Sequence, residues 1–215
     1  MADTSFLDWP FLEPKHKALH AALEAWASDN LRHVDHDNTD QTCQALVAAL
    51  GAAGILKHTG VNATFPQIDV RSLCLIRETL ARHDGLADFA FAMQGLGTMA
   101  ISLFGSDTQK ADWLPKIQSG AALSAFALSE PQSGSDVANL QLSSRRDGNG
   151  FVLNGEKTWN TGIHKAQYDM IMARTSGKAG DGDGITAFLV PTRSEGFEVL
   201  EYLWTFNMPS DHAHI

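Results

Sequence analysis

Residues 113–136 read WLPKIQSGAALSAFALSEPQSGSD, and the character of the sequence changes within this stretch. Before it, apolar residues recur at the three- and four-residue spacing of helices. After Gly120, short apolar runs are separated by clusters of turn residues, which is typical of strands. Helices followed by strands, without alternation, indicate an α+β fold with separate layers or domains. We therefore expect an all-helical bundle over residues 1–121 and an antiparallel β-sheet domain over residues 122–215.

The helical part contains five predicted helices. The first begins near Pro14, and the next two carry their apolar stripes through residues 43–50 and 73–80. The fourth, about residues 86–104, is apolar on most sides, which is typical of a central helix in a bundle. Residues 106–109 form a capping-box pattern that opens the fifth helix, which is predicted to end near residue 120.

The second part contains six predicted strands. They cover residues 123–129, 141–146, 151–153, 157–161, 168–174 and 185–190. The sequence Asp-Gly-Asn-Gly at 147–150 is a hairpin signal, because its residues tolerate positive φ. The glycine-rich segment 176–184 is predicted to be a mobile hairpin loop.

Composition and charge exclude several classes of protein. The chain carries 16 Lys and Arg against 25 Asp and Glu, a formal charge of −9, and its basic residues are scattered. This argues against nucleic-acid binding, which needs clustered basic residues. We expect no apolar run of the roughly 18–20 residues that span a bilayer. Because Cys43 and Cys74 are the only cysteines, we expect a reducing, cytoplasmic compartment.

Nine histidines raise the question of a metal site. Three closely spaced pairs occur, namely His16 with His20, His33 with His36, and His212 with His214. A transition-metal site needs three or four converging ligands, and no Cys, Asp or Glu completes a pair at a motif spacing. We therefore expect these histidines to lie on the surface, and we expect no metal.

Two stretches carry residues suited to ligand binding. Residues 129–136, SEPQSGSD, place small residues in a turn whose free backbone N–H groups can hold a phosphate or a ring carbonyl. The alternative is a hairpin connection whose side chains satisfy their own backbone. In residues 153–162, LNGEKTWNTG, strand alternation predicts that Trp159 and Thr161 share one face and can hold a planar heterocycle. The alternative is a tryptophan that belongs to the core.

Together these stretches resemble the acyl-CoA dehydrogenase family. Residues 129–136 resemble its "TEPxAGSD" signature, residues 154–161 (NGEKTWNT) its "NGxKxWIT" signature, and residues 113–120 (WLPKIQSG) its "WLPxLxxG" signature. The three occur in the family's order and register, and the resemblance spans essentially the whole chain. It implies an N-terminal helical domain and a flavin-binding β-domain. It further implies a flavin-dependent α,β-dehydrogenation of an acyl-CoA thioester.

The resemblance also implies a role for each site residue. Phe126, Leu128 and Ser129 are expected along the FAD isoalloxazine ring, with Ser129 at the pyrimidine edge. Gly134 and Ser135 are expected at the pyrophosphate, and Ser135 also at the acyl-CoA thioester arm. The second stretch completes the expected cofactor contacts, with Trp159 packed against the flavin, Thr161 near its N5 atom, and Asn160 between them. Two of these residues depart from the family. Phe126 stands where many members have Tyr, and Asn160 stands where Ile is usual.

The family pattern continues beyond Ile215 with a four-helix domain that supplies the catalytic glutamate and most subunit contacts. We therefore expect this chain to be a fragment without its catalytic base, to hold FAD weakly or substoichiometrically, and to show no turnover alone. The implied partners are an acyl-CoA substrate, an electron-transfer flavoprotein as acceptor, and further copies of the full-length chain. Two alternatives remain open, namely an acyl-CoA oxidase or flavin monooxygenase of the same fold, or a non-catalytic flavin-binding or interaction module.

Overall fold

The structure is a computed structural model that describes residues 3–163, 165–205 and 212–215. Its helices are α1 (Pro14–Asn30), α2 (Thr39–Ala52), α3 (Val70–His83), α4 (Gly85–Phe104) and α5 (Asp107–Gln118). The five predicted helices are therefore present. Ser106 and Gln109 form the predicted capping box at the start of α5, with each side chain bonded to the other's backbone N–H. The apolar stripes of α1, α2 and α3 meet the first half of α4 in one buried cluster.

The helix α4 is the one described helix that is long and apolar enough, by length and composition alone, to cross a membrane. It has 20 residues, and 56% of its most apolar window is buried inside the protein. The expectation that no apolar segment reaches this length is therefore wrong. Because α4 packs against the other helices and against the sheet, we assign it to the centre of the bundle.

The histidine pair on α1 also differs from expectation. His16 is fully buried and His20 is 8% exposed, so neither is a surface residue. The backbone N–H of Glu13 donates to His16 Nδ1 at 2.9 Å, so Nε2 carries the proton and donates to Asp69 at 3.0 Å. Asp69 caps the start of α3, and its pKa lies well below its usual range, because hydrogen bonds and charges from Lys15 and His16 outweigh burial. The histidine therefore fastens α1 to α3.

The described part of the second half forms two sheets. Its strands are β1 (Ser124–Ala127), β2 (Ser143–Asp147), β3 (Gly150–Asn154), β4 (Asn160–Thr161), β5 (Tyr168–Arg174), β6 (Ile185–Pro191), β7 (Glu201–Leu203) and β8 (His212–His214). In the first sheet, β6 pairs with one edge of β5. The other edge of β5 pairs with β1 along its first half and with β2 at its end, and β3 pairs with β2. In the second sheet, β8 lies between β4 and β7. The α+β organisation is confirmed.

The first sheet is mixed rather than purely antiparallel. The hairpins β2–β3 and β5–β6 are antiparallel as predicted, but β1 runs parallel to β5 from the Ser124–Tyr168 pair to the Ala127–Ile171 pair. Hairpin signals in a sequence report only on neighbouring strands, so they could not predict this pairing across a long connection. The three-residue strands β7 and β8 were not predicted, because they are too short to show a periodicity.

A close contact between α4 and β1 joins the helices to the strands. The Gln94 side chain donates to the Ala122 carbonyl oxygen at 2.8 Å and accepts the Ser124 N–H at 3.0 Å. At Gly97, a Cβ atom would lie 2.3 Å from the Ser124 side chain, so a side chain there would force the elements apart. This contact sets the position of β1 and of the first candidate stretch that follows it.

Candidate functional site

The first candidate stretch forms a tight turn shortly after β1. The N–H of Glu130 donates to the Ser133 carbonyl oxygen at 2.8 Å, and the N–H of Ser133 donates back at 3.0 Å. The Ser133 hydroxyl donates to the Asp136 carbonyl oxygen at 2.6 Å. Gly134 and Ser135 are exposed, and within the described residues their N–H groups donate to no protein acceptor. The turn therefore satisfies the polar groups of Glu130 and Ser133 internally, whereas the N–H groups of Gly134 and Ser135 have no protein acceptor among the described residues.

A buried ion pair joins the two candidate stretches. Lys157 is fully buried and Glu130 is 4% exposed. Lys157 Nζ donates to Glu130 Oε1 at 2.9 Å and to the Leu128 carbonyl oxygen at 2.9 Å. The N–H groups of Gln141 and Leu142 donate to the same carboxylate at 2.6 and 2.9 Å. Buried charges are tolerated when they are paired and hydrogen-bonded in this way.

The pKa values of the pair follow from burial and these bonds. Burial lowers the pKa of Lys157, and the Glu130 carboxylate opposes that shift. Burial alone would raise the pKa of Glu130, but the Gln141 and Leu142 N–H groups and the Lys157 ammonium outweigh it, so the pKa is lowered. Sequence reasoning did not assign these two residues a role, because no local pattern indicates that side chains 27 residues apart meet.

Trp159 follows directly after a second link between the stretches. The N–H of Thr158 donates to the Ser129 carbonyl oxygen at 2.9 Å. Trp159 then has φ +59°, the only positive φ among the non-glycine residues that the structure describes, and the residue is 53% exposed. A bulky residue in this conformation is strained, and strained residues cluster at functional sites. The expected shared strand face of Trp159 and Thr161 is wrong, because β4 begins only at Asn160.

Thr161 and Asn160 have different surroundings. The Thr161 hydroxyl and His212 Nδ1 on β8 share a hydrogen bond of 2.7 Å. The His212 ring lies edge-on to the rings of Trp159 and Phe89, with centroid distances of 6.4 and 6.3 Å. Asn160 is buried and donates to Asp169 on β5 at 2.6 Å. His212 was expected on the surface, and only the β4–β8 pairing, which the sequence does not reveal, brings it to the site.

The remaining predicted contacts lie on β1 and just after it. Phe126 is half-buried and packs against Ile101 of α4 and Met170 of β5, so its ring takes part in the contact between helices and sheet. Leu128 and Ser129 are half-buried, and within the described residues the Ser129 hydroxyl makes no hydrogen bond. The structure therefore brings Leu128 and Ser129 next to the segment that carries Trp159, with a free hydroxyl beside it.

A narrow cavity lies beside Thr161, between the helices and the chain that follows β4. Apolar side chains of α2 and α4, including Val47, Phe89 and Met93, line it together with Lys165. It encloses about 20 Å³ of free space, which is room for about one water molecule. A larger apolar group could enter only if side chains such as Phe89 and Met93 moved.

These groups together are suited to one kind of ligand. The exposed Trp159 ring offers a flat apolar surface, and the free N–H groups of Gly134 and Ser135 suit an anion. The hydroxyls of Ser129 and Thr161 suit the polar edge of a heterocycle. Over residues 3–163, 165–205 and 212–215, no three His, Cys, Asp or Glu side chains are grouped so that they could hold a metal ion.

The chain is therefore a helical bundle followed by a β-domain in which a buried ion pair joins two segments that are distant in sequence. Two sequence profiles match the chain. The profile "Acyl-CoA dehydrogenase, N-terminal domain" matches residues 13–121, and the profile "Acyl-CoA dehydrogenase, middle domain" matches residues 125–213. The chain belongs to the acyl-CoA dehydrogenase family.

Individual relatives agree with this assignment. The probable acyl-CoA dehydrogenase fadE25 of Mycobacterium leprae is 32% identical over 191 residues, which are 87% of this chain and 49% of the relative. A glutaryl-CoA dehydrogenase from Mycobacterium smegmatis, solved with FADH2, has a TM-score of 0.80 at 27% identity over 99% of this chain and 53% of its own. An acyl-CoA dehydrogenase from Bacillus anthracis, solved with FAD, has a TM-score of 0.80 at 26% identity over 100% of this chain and 39% of its own. The chain spans about half the length of the curated relatives it matches.

Proposed function

We propose that this chain forms the helical domain (residues 1–121) and the flavin-binding domain (residues 122–215) of an FAD-dependent acyl-CoA dehydrogenase. The proposed reaction converts an acyl-CoA thioester to the trans-2-enoyl-CoA. One observation carries the proposal: the Lys157–Glu130 pair and the Thr158–Ser129 bond hold two family signature segments together at the exposed Trp159 ring. The family relatives solved with FAD and FADH2 support the choice of cofactor.

The residues present fit FAD. In the proposed site Trp159 packs against the isoalloxazine ring, with Leu128 and Ser129 along the same ring. The free N–H groups of Gly134 and Ser135 would hold the pyrophosphate, and Ser135 would also contact the thioester arm. An anion beside free N–H groups in a turn is a recurring arrangement. Phe126 and Asn160 belong to the same proposed set, with Phe126 supporting the ring from the packed side of β1.

The chemistry that FAD would supply when bound is that of a hydride acceptor for the substrate β-carbon. The chain's part in this reaction is to bind and orient. The Thr161 hydroxyl is held by His212 at 2.7 Å, so its direction is fixed before a ligand arrives. A group held in advance loses less freedom on binding. We assign the removal of the α-proton to none of the described residues, and a base outside these 215 residues stays a prediction.

Three further parts of the proposal rest on family membership. We propose an electron-transfer flavoprotein as electron acceptor and a homo-oligomer as the working assembly. We also propose a cytoplasmic location, which the two free thiols of Cys43 and Cys74 support.

The test is an anaerobic titration of the FAD-loaded protein, in its complete natural form, with acyl-CoA thioesters of different chain length. The proposal expects bleaching of the oxidised-flavin absorbance and formation of the 2-enoyl-CoA. The absence of bleaching with every thioester would refute a dehydrogenase. Peroxide release in proportion to product under air would instead identify an oxidase.

A further inference from the structure

Asn160 and Asp169 form a polar contact in the core of the β-domain, directly behind the candidate site. Asn160 is 1% exposed and Asp169 is fully buried. Asn160 Nδ2 donates to Asp169 Oδ2 at 2.6 Å. On either side of Asp169 lie Ala125 of β1 and Val190 of β6, its partners in the sheet, which offer no polar side chain.

This single hydrogen bond leaves two buried oxygens unsatisfied. Asn160 Oδ1 and Asp169 Oδ1 are both shielded from solvent, and among the residues that the structure describes neither oxygen has a hydrogen-bond partner. Two acceptors cannot satisfy each other, and an unpaired buried oxygen is costly. A protonated Asp169 resolves the problem, because its O–H group can donate to Asn160 Oδ1 while Oδ2 continues to accept from Nδ2. The two side chains then form a ring of two hydrogen bonds.

We propose that Asn160 and Asp169 are a neutral acid–amide pair that positions the Trp159–Thr161 segment from behind. Asn160 is the residue between Trp159 and Thr161, so the place of its side chain fixes the backbone of both. The pair itself follows from the contacts of this chain, whereas its effect on flavin binding rests on the proposed function.

The charged groups around Asp169 are consistent with a neutral pair. Burial raises the pKa of Asp169 to about 7, while the Asn160 bond and the Lys157 charge oppose this shift. Lys157 precedes β4 and is itself paired with Glu130, which limits its effect on Asp169. On β8, His212 and His214 flank Ala213, the residue opposite Asn160, and they bond to Thr161 and Glu156 respectively.

The sign of the pH effect follows from this pKa. The folded chain binds a proton at Asp169 that the unfolded chain releases near the ordinary aspartate pKa of 3.8. Stability therefore falls as pH rises from about 4 to about 7, and the positioning contact weakens when Asp169 ionises.

The first measurement is a carbon-13 NMR titration of the aspartate carboxyl groups in the chain without flavin. One carboxyl group should titrate near pH 7, and its signal should be lost in Asp169→Asn. A carboxyl group of Asp169 that titrates with the exposed aspartates, below about pH 5, would overturn the pair.

The second measurement tests positioning. The emission of Trp159 is obtained by subtracting the fluorescence of Trp159→Phe from that of the parent chain. This emission should change with pH over the range in which Asp169 titrates. In Asp169→Asn, where an amide preserves the ring of hydrogen bonds, it should not change over that range. The matched control is Asp88→Asn, because Asp88 is another buried aspartate and is paired with Arg77 on α3. This variant should keep the pH profile of Trp159 emission that the parent chain shows. An identical Trp159 profile in the parent chain and in Asp169→Asn would overturn the positioning role.

A third measurement, of FAD affinity at about pH 5.5 and about pH 8.5, tests whether the protonation of Asp169 affects flavin binding. We expect the affinity to fall by about fivefold or more at the higher pH in the parent chain, and not in Asp169→Asn. If FAD does not bind at all, the proposed function fails, while the carboxyl titration and the Trp159 emission still decide the acid–amide pair.

Discussion

At the residue scale, the backbone of Trp159 is the clearest sign of a site that is not optimised for stability. Its φ of +59° disfavours any side chain with a Cβ atom, and the residue is 53% exposed, so burial offsets little of that cost. Such strain persists where surrounding contacts enforce it. Here the Thr158–Ser129 bond and the buried Lys157 side chain enforce it from the preceding residues.

This strain predicts an unusual response to glycine. Trp159→Gly should be more stable than Trp159→Ala by about 1 kcal/mol, because only glycine accepts this backbone without cost. Chemical denaturation of both variants measures the difference. Trp204 is exposed and is not in the left-handed region, so the same pair of substitutions there should show no advantage for glycine. An equal advantage at both positions would contradict the interpretation.

The buried ion pair predicts a large effect from a single substitution. Lys157→Met should lower the free energy of unfolding by about 3–5 kcal/mol, because it leaves the Glu130 carboxylate buried without its cation. Denaturant unfolding measures the loss, and the double variant Lys157→Met/Glu130→Gln should recover part of it. Lys17→Met removes the exposed pair with Asp8 and should cost no more than about 1 kcal/mol. Similar losses in Lys157→Met and Lys17→Met would show that the buried pair has no special role.

Single residues differ in how far the sequence could predict them. The signature segments gave Ser129, Gly134 and Trp159 as candidates, and their roles stay predictions. The buried state of His16 was missed, because its partner Asp69 is 53 residues away and only folding brings them together. His212 was missed for the same reason, since a strand too short to predict carries it to Thr161.

At the element scale, the contact between α4 and β1 determines where the candidate turn lies. Gly97→Ala should lower the free energy of unfolding by about 1–3 kcal/mol, because its Cβ atom would overlap the Ser124 side chain. In Gly85→Ala, at the start of the same helix, the Cβ atom meets nothing within 4 Å, so stability should be unchanged or higher by up to about 1 kcal/mol. Thermal and denaturant unfolding compare the two. A Gly97→Ala variant as stable as Gly85→Ala would contradict the close approach.

The helices were predictable to a greater extent than the strands. Apolar periodicity and the capping box of α5 are local signals, and each of them corresponds to a helix in the structure. Strand pairing depends on distant residues, so the parallel pairing of β1 with β5 and the strands β7 and β8 of the second sheet had no local signal. The predicted strand 157–161 shrank to β4 because Lys157 turns inward to Glu130 and Trp159 leaves the extended conformation.

At the scale of the whole molecule, the two halves of the chain supply different parts of one surface. The helices contribute α4, whose Phe89 lies beside His212, and the strands contribute the two linked signature segments. The change of character near residue 120 was visible in the sequence, and the boundary at 121/122 stays a prediction. The α+β class and the family could be predicted, whereas the joining of the segments required the long-range contacts of Lys157.

In the proposed enzyme the linked segments form the surface around Trp159 that binds the flavin. The most direct test is a fluorescence titration of this 215-residue chain with FAD, compared with Trp159→Ala and with Trp204→Ala as the exposed-tryptophan control. We predict weak but saturable binding that Trp159→Ala reduces roughly tenfold or more by removing the stacking surface, and that Trp204→Ala leaves unchanged. Equal FAD affinity in the parent chain and in Trp159→Ala, or no saturable binding at all, would contradict the account.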